Sequence, residues 1–127
     1  MAGQDGLSRR ERQILDILYK LEGGSVKDVQ EALNDGSSDS TIRTLLGILV
    51  NKKKLTKKPS GMRYIYFPAV ERKKASRQAL ERVVSTFFEE SPVLAVRSLL
   101  EMKKGKITLE EVEQLEELLN KNKPKKK

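Results

Sequence analysis

The first seventy residues carry three amphipathic helical patterns followed by one β-hairpin pattern, and this order constrains the fold more than any other sequence feature. The first helix opens at Ser8 with the S-x-x-E spacing of a capping box. Two glycines at 23–24 end it, and Ser25 is placed to cap the second, shorter helix. After the third helix, two strand-like runs flank a Pro-Ser-Gly turn at 59–61. This order predicts a winged helix-turn-helix domain over residues 1–70.

The third helical pattern, from about residue 39 to residue 51, separates into an apolar and a polar face. Apolar residues at i, i+3, i+4, i+7 and i+8 predict the buried face, formed by Ile42, Leu45, Leu46, Leu49 and Val50. The same 100° step turns the opposite residues outward, with Thr41, Arg43 and Ile48 on the flanks and these at the centre: Ser40, Thr44, Gly47 and Asn51. A solvated helix more often carries Glu and Lys there, and Gly47 costs up to about 1 kcal/mol of helix propensity. Side chains this short let another molecule approach the backbone closely.

Positive charge is concentrated beside this polar face. The chain has 127 residues, with Lys+Arg 26 against Asp+Glu 18, which gives a net charge of +8. Residues 39–68 alone hold seven Lys or Arg residues and one acidic residue. Such an excess points to a polyanionic partner, most often nucleic acid. The candidate DNA-binding residues are therefore Ser40, Thr41, Arg43, Thr44, Lys52, Lys57, Lys58 and Arg63.

These candidates differ in what they can recognise on DNA. The guanidinium of Arg43 can bond O6 and N7 of guanine, although a phosphate contact is nearly as well supported. Thr41 and Thr44 can touch a thymine methyl group or a phosphate, and Ser40 can donate to a phosphate. The basic residues of the hairpin are expected to meet phosphates or the minor groove. Tyrosines 64 and 66 are expected to pack in the core rather than stack on bases.

Several classes of chemistry are excluded because the chain contains no cysteine and no histidine. Disulfides, thiolate nucleophiles, Cys/His zinc sites and Ser-His-Asp triads all need one of these residues. No glycine-rich phosphate loop is present. Five glutamates between residues 110 and 117 are more typical of a solvated helix face than of a metal site. The sequence therefore predicts a protein that is not an enzyme and needs no cofactor or metal.

The second half of the chain predicts a separate helical domain over residues 71–120. Three amphipathic helices cannot bury all their apolar stripes on one another within about fifty residues, and a second copy of the chain is the simplest cover. We therefore expect a homodimer with these contact residues: Leu80, Val84, Phe87, Phe88, Val96, Leu99, Leu100, Val112, Leu115 and Leu118. The basic tail, residues 121–127, is predicted to be disordered.

No sequence window approaches the roughly 18 uninterrupted apolar residues of a membrane span. The first thirty residues also lack the apolar run and small-residue site of a secretory signal. We therefore expect no membrane insertion and a cytoplasmic location.

Five short segments occur in order at characteristic spacing: Leu7-Ser8 with Glu11, Thr41–Leu46, Gly61 with Tyr64–Tyr66, Phe88–Pro92 and Thr108–Val112. In these segments the chain resembles the family of penicillinase and methicillin-resistance repressors, which also contains copper-transport operon repressors. The resemblance extends from about Leu7 to Leu119. It implies a homodimeric winged-helix repressor whose two reading helices enter major grooves of a pseudo-palindromic operator in double-stranded DNA.

The chain departs from this family pattern in four places. Members often have Gly where it has Lys53 and a basic residue where it has Ile48. Antibiotic-resistance repressors of the family share an Asn-Phe dipeptide that a membrane sensor protease cuts, whereas the matching stretch lies near Ser98-Leu99. The sequence therefore does not support release by this route, and a regulatory protease as a partner is left open. Copper-sensing members use a C-terminal cysteine cluster, which this chain lacks.

Two other functions fit the same residues. A non-specific architectural DNA-binding protein is favoured by the lysine-rich tail, and a winged-helix protein-docking module would turn the basic patch towards an acidic partner. Preference for one DNA sequence over random duplex separates the repressor from both.

Overall fold

A computed structural model describes residues 6–124, which form six α-helices and one antiparallel β-hairpin. This confirms the predicted mainly helical fold class with a small hairpin. In chain order the elements are α1 (Arg9–Leu21), α2 (Val26–Leu33), α3 (Asp39–Asn51), β1 (Leu55–Ser60), β2 (Arg63–Pro68), α4 (Arg72–Phe87), α5 (Pro92–Met102) and α6 (Leu109–Lys121).

The first two helices begin at capping boxes. The hydroxyl of Ser8 accepts a hydrogen bond from the Glu11 amide at 3.1 Å, and the Glu11 carboxylate accepts one from the Ser8 amide at 3.4 Å. Ser25 and Asp28 make the same reciprocal pair at 3.2 and 2.9 Å. Each box satisfies two backbone N–H groups that a helix N-terminus leaves without partners.

The apolar faces of α1, α2 and α3 meet the base of the hairpin in one core. Its buried apolar side chains are Leu7, Ile14, Leu15, Leu18, Val29, Ile42, Leu46, Leu49, Leu55 and Tyr66. The predicted apolar face of α3 is confirmed, since Leu45 and Val50 also pack against this core. The opposite face of α3 is consequently turned outward.

The hairpin is joined to the helices through the two glycines that follow α1. Gly24 and Tyr66 exchange backbone hydrogen bonds of 2.9 and 2.7 Å, which adds a short bridge to β2. Gly23 has φ of +117°, and a Cβ at this position would lie 2.5 Å from Cδ1 of Phe67. Only glycine fits here without moving the ring. The glycines predicted merely to end α1 therefore also seat the hairpin.

The hairpin turn lies later than the sequence predicts. Pro59 and Ser60 belong to β1, and the turn is formed by Gly61 and Met62, with Gly61 at φ of +64°. Ser60 pairs with Arg63 across the turn. Pro59 is tolerated in this strand because, within the described residues, β1 pairs with β2 alone and is therefore an edge strand.

The end of α3 has the geometry of a Schellman motif. The amide of Lys54 donates to the Leu49 carbonyl at 2.9 Å, and the amide of Lys53 donates to the Val50 carbonyl at 3.0 Å. Lys53 itself has φ of +62°, in the left-handed region that favours glycine. The chain therefore retains the helix end while placing a strained lysine where the family often has glycine.

We expect Lys53→Gly to raise the free energy of unfolding by about 0.5–1 kcal/mol, because relief of left-handed strain outweighs the greater freedom of the unfolded chain. The expected rise in the thermal midpoint is about 2–8 °C. Lys54→Gly removes the same charge one residue later, where φ is not positive, and is expected to lower the midpoint. A scan in which both variants shift alike would contradict the strain argument.

The chain divides into two compact units, Met1–Arg82 and Val83–Lys127, and α4 contributes residues to both. The domain boundary predicted between residues 70 and 71 stays a prediction. Ser91 and Thr108 cap α5 and α6, with Pro92 at the first position of α5. The last three residues of the predicted basic tail, 125–127, lie outside the described residues. Between residues 6 and 124 no helix is long and apolar enough to cross a bilayer.

Candidate nucleic-acid interface

The exposed start of α3 carries a cluster of hydroxyl groups. Ser38 caps the helix by accepting from the Thr41 amide at 3.2 Å, and its hydroxyl donates to Oγ1 of Thr41 at 2.9 Å. Oγ1 of Thr44 donates to the Ser40 carbonyl at 2.9 Å. Ser40, Thr41 and Thr44 are all exposed. Because the Thr44 proton is held by the backbone, this oxygen faces a ligand mainly as an acceptor.

Arg43 lies exposed on the same part of α3, and its guanidinium makes no hydrogen bond or ion pair with any residue between 6 and 124. One turn further, a Cβ on Gly47 would meet nothing within 4 Å. Glycine at this position is therefore not required by packing inside the protein. The structure thus presents a free guanidinium beside a shallow stretch of helix surface.

The basic residues of the hairpin are exposed on its two strands. Nζ of Lys57 lies 4.5 Å from the ring centroid of Tyr64, and Nζ of Lys58 lies 5.6 Å from that of Phe67. These cation–π contacts hold the two ammonium groups on the hairpin while leaving them accessible. Arg63 is exposed next to the turn.

The two tyrosines of β2 have different environments. Tyr66 is 8% exposed and belongs to the core, as predicted, whereas Tyr64 is 47% exposed, and the prediction that it packs in the core is wrong. The residues of both strands from 56 to 64 are exposed, so the hairpin extends past the helices at this point. Alternation along a strand identifies a face, but it does not tell how far the core reaches along that face.

Lys52 differs from the other predicted DNA-binding residues because its ammonium group already has partners. Nζ lies 2.6 Å from Oε1 of Glu11 and donates to the Gly6 carbonyl at 2.7 Å. The Glu11 side chain is buried, and its pairing with Lys52 keeps the pKa of the carboxyl below its usual value. Lys52 thus connects the end of α3 to the start of α1, and its contact with DNA stays a prediction.

A set of polar contacts that the sequence did not predict holds the turn between α2 and α3. Nη1 of Arg10 lies 2.6 Å from Oδ2 of Asp35, and Nη2 of Arg10 donates to the hydroxyl of Ser37. Ser37 in turn donates to Oδ1 of Asp35 through its hydroxyl at 2.6 Å and its amide at 3.0 Å. Nε2 of Gln30 donates to the Ser37 carbonyl at 3.0 Å. The Asp-Gly-Ser order predicts a turn, but not a partner on α1.

The predicted dimer contacts lie in the three C-terminal helices, except for Phe88, which directly follows α4. No residue of α4, α5 or α6 is buried. Val84 and Phe88 are half-buried. The others are exposed, from 38% at Val112 to 74% at Phe87: Leu80, Phe87, Val96, Leu99, Leu100, Val112, Leu115 and Leu118. Exposure of this much apolar surface to water is unusual for a monomeric protein.

The family model of the penicillinase repressor matches residues 7–121. This chain belongs to the penicillinase repressor family. It is therefore a DNA-binding transcriptional repressor and not an enzyme, as the sequence predicted. The match includes the helices, the hairpin and the apolar C-terminal helices. No curated protein matches the chain.

Solved structures of other repressors are similar to this penicillinase-repressor chain. The crystal structure of reduced MarR from E. coli has a TM-score of 0.53 at 18% identity, covering 93% of this chain and 79% of that one. The solution structure of the DNA-binding domain of the repressor BlaI has a TM-score of 0.49 at 23% identity, covering 57% and 90%. BlaI of Bacillus licheniformis, in monomeric form with the blaP half-operator, has a TM-score of 0.46 at 24% identity, covering 57% and 90%. The likeness to MarR supports the winged-helix fold.

Proposed function

We propose that this chain represses transcription in the cytoplasm as a homodimer that binds a pseudo-palindromic operator in double-stranded DNA. In each copy α3 enters a major groove and the β1–β2 hairpin lies along the adjacent backbone. Ser40, Thr41, Arg43 and Thr44 face the bases and nearby phosphates, and the basic residues of the hairpin neutralise the backbone.

The observation that carries the DNA part of this proposal is the exposed start of α3. A major groove about 12 Å wide admits an α-helix, and recognition residues near the N-terminal end of that helix reach base edges. Here that end has short hydroxyl side chains, a free Arg43 and a glycine whose Cβ space is open. Lys57 and Lys58 lie on the following hairpin, where they can contact phosphates.

The dimer part is supported by the apolar surface of the C-terminal helices. Burying one Val, Leu, Ile or Phe side chain contributes about 1.5–3 kcal/mol, so the exposed stripe is a large source of binding free energy. A two-fold dimer covers the same stripe on both copies at once. Two α3 helices related by this axis would explain a palindromic site.

Selection from a random duplex library tests the function. We expect the wild-type protein to enrich a pseudo-palindrome whose half-sites are about 10–10.5 bp, or a multiple of this, apart. The enriched duplex should bind at least ~10³-fold more tightly than a shuffled duplex of the same composition at physiological salt. Fluorescence anisotropy on both duplexes measures this ratio.

The two other functions give different results in the same assay. Tight binding without any enriched sequence would indicate an architectural protein, and absence of DNA binding would indicate a protein-docking module. The lysine-rich C-terminus favours the architectural function as the second candidate, because clustered charge binds any duplex.

Release by a regulatory protease is a separate question within this proposal. Ser98 and Leu99 lie inside α5, where backbone hydrogen bonds protect the peptide from a protease. Cleavage there would require local unfolding of α5. A neighbouring gene for a membrane metalloprotease would support such a partner.

A further inference from the structure

The turn from Asn34 to Ser37 precedes the proposed reading helix and buries none of its residues. Asn34 and Gly36 both have positive φ, at +47° and +81°, and the turn is held by polar contacts rather than by apolar packing. Arg10, from the first turn of α1, adds contacts from outside the turn. Its guanidinium contacts both Asp35 and Ser37, as well as Oε1 of Gln13 at 3.1 Å.

Ser37 is held by each of its polar groups. Its hydroxyl accepts from Arg10 and donates to Asp35, its amide also donates to Asp35, and its carbonyl accepts from Gln30 of α2. The next residue, Ser38, caps α3. The position of the helix start is therefore fixed by α1 and α2 through Ser37, even though this part of the surface is solvent-exposed.

We propose that Arg10, Asp35 and Ser37 form a clamp that positions the start of α3 for sequence recognition. Arg10 and Asp35 are then positioning residues that need no contact with DNA. This inference rests on the proposed function, and it names residues that the family resemblance and the DNA-binding candidates do not include.

The clamp and simple electrostatics predict opposite effects for Asp35→Asn. Removing a negative charge near DNA strengthens binding to every duplex if charge alone matters. Loss of the ion pair, in contrast, lets the start of α3 move, and a small misplacement breaks contacts that depend on base-edge geometry. Asparagine can still accept from Ser37, so the variant removes mainly the contact with Arg10.

The experiment compares a duplex enriched by the wild-type protein with its shuffled version over a range of salt concentrations. For Asp35→Asn we expect at least about tenfold weaker binding to the enriched duplex and equal or tighter binding to the shuffled one. Ser37→Ala changes no charge, and we expect it to weaken binding to the enriched duplex but not binding to the shuffled one. Amide hydrogen exchange at residues 37–41 should also accelerate in both variants without DNA.

Three comparisons keep the test specific. Glu31→Gln removes one charge at an exposed residue of α2 that has no described partner. It should change the affinity for both duplexes by the same factor. Arg10→Gln combined with Asp35→Asn should lose no more specificity than either single change, because both break one interaction. Thermal midpoints identify any variant that has lost its fold.

The clamp is overturned if Asp35→Asn strengthens binding to both duplexes equally. It is also overturned if the losses of specificity from Arg10→Gln and Asp35→Asn add in the double variant. The proposed function and the clamp both fail if the wild-type protein enriches no sequence. If the wild-type protein enriches a sequence and the variants keep the preference for that sequence, only the clamp fails.

Discussion

A variant with Leu115→Asp and Leu118→Asp is expected to be monomeric and to bind the enriched palindrome at least about 100-fold more weakly than wild type. Both leucines are exposed on α6, at 40% and 55%, so the change removes the proposed dimer contact without emptying a core. Two linked half-site contacts gain their avidity from high effective concentration, and a monomer loses it. Sedimentation velocity at micromolar concentration and fluorescence anisotropy measure the two effects.

A matched control adds the same charges elsewhere on α6. Gln114→Glu with Asn120→Asp places two carboxylates away from the apolar stripe, and this variant should stay dimeric with nearly unchanged affinity. Circular dichroism compares the helix content of both variants. A double-aspartate protein that still sediments as a dimer would place the interface on other residues.

Arg43→Ala is expected to weaken binding to the enriched duplex by about 5- to 150-fold, equivalent to about 1–3 kcal/mol, and to reduce the preference over shuffled DNA. Arg43 is exposed and has no partner within residues 6–124, so the change should leave the fold intact. Selection repeated with the variant should show a relaxed base at one position of each half-site.

Two further variants separate base recognition from charge. Arg43→Lys keeps the charge but not the planar pair of donors, so it should keep the salt dependence and lose the preference. Lys57→Ala should weaken binding to both duplexes alike, and it should reduce the slope of log affinity against log salt concentration by about one unit. Equal losses on both duplexes from Arg43→Ala would assign this residue to a phosphate instead.

The sequence predicted most of the fold because local signals agreed with it. Ser8, Ser25 and Thr108 stand three residues before an acidic residue, and all three cap helices in the structure. The apolar spacing of α3 identified its buried face because that face repeats every helical turn. The hairpin followed from β-branched and aromatic residues around a turn.

The features that the sequence did not predict depend on contacts between distant segments. The tie from Lys52 to Glu11 and the clamp from Arg10 to Asp35 join residues far apart in the chain, and no periodic pattern records such pairs. The exposure of Tyr64 depends on where the hairpin leaves the helices. The DNA and dimer contacts of the candidate residues stay predictions, since both involve a second molecule.

The lack of buried residues in α4, α5 and α6 has a consequence for gene control. Helices that bury little alone gain their stability from association, so under the proposed dimer the folding of the C-terminal half would be coupled to the protein concentration by mass action. Under the proposed assembly, promoter occupancy would rise with roughly the square of monomer concentration when the repressor is scarce. A modest fall in synthesis would then switch transcription on sharply, even without a dedicated inducer.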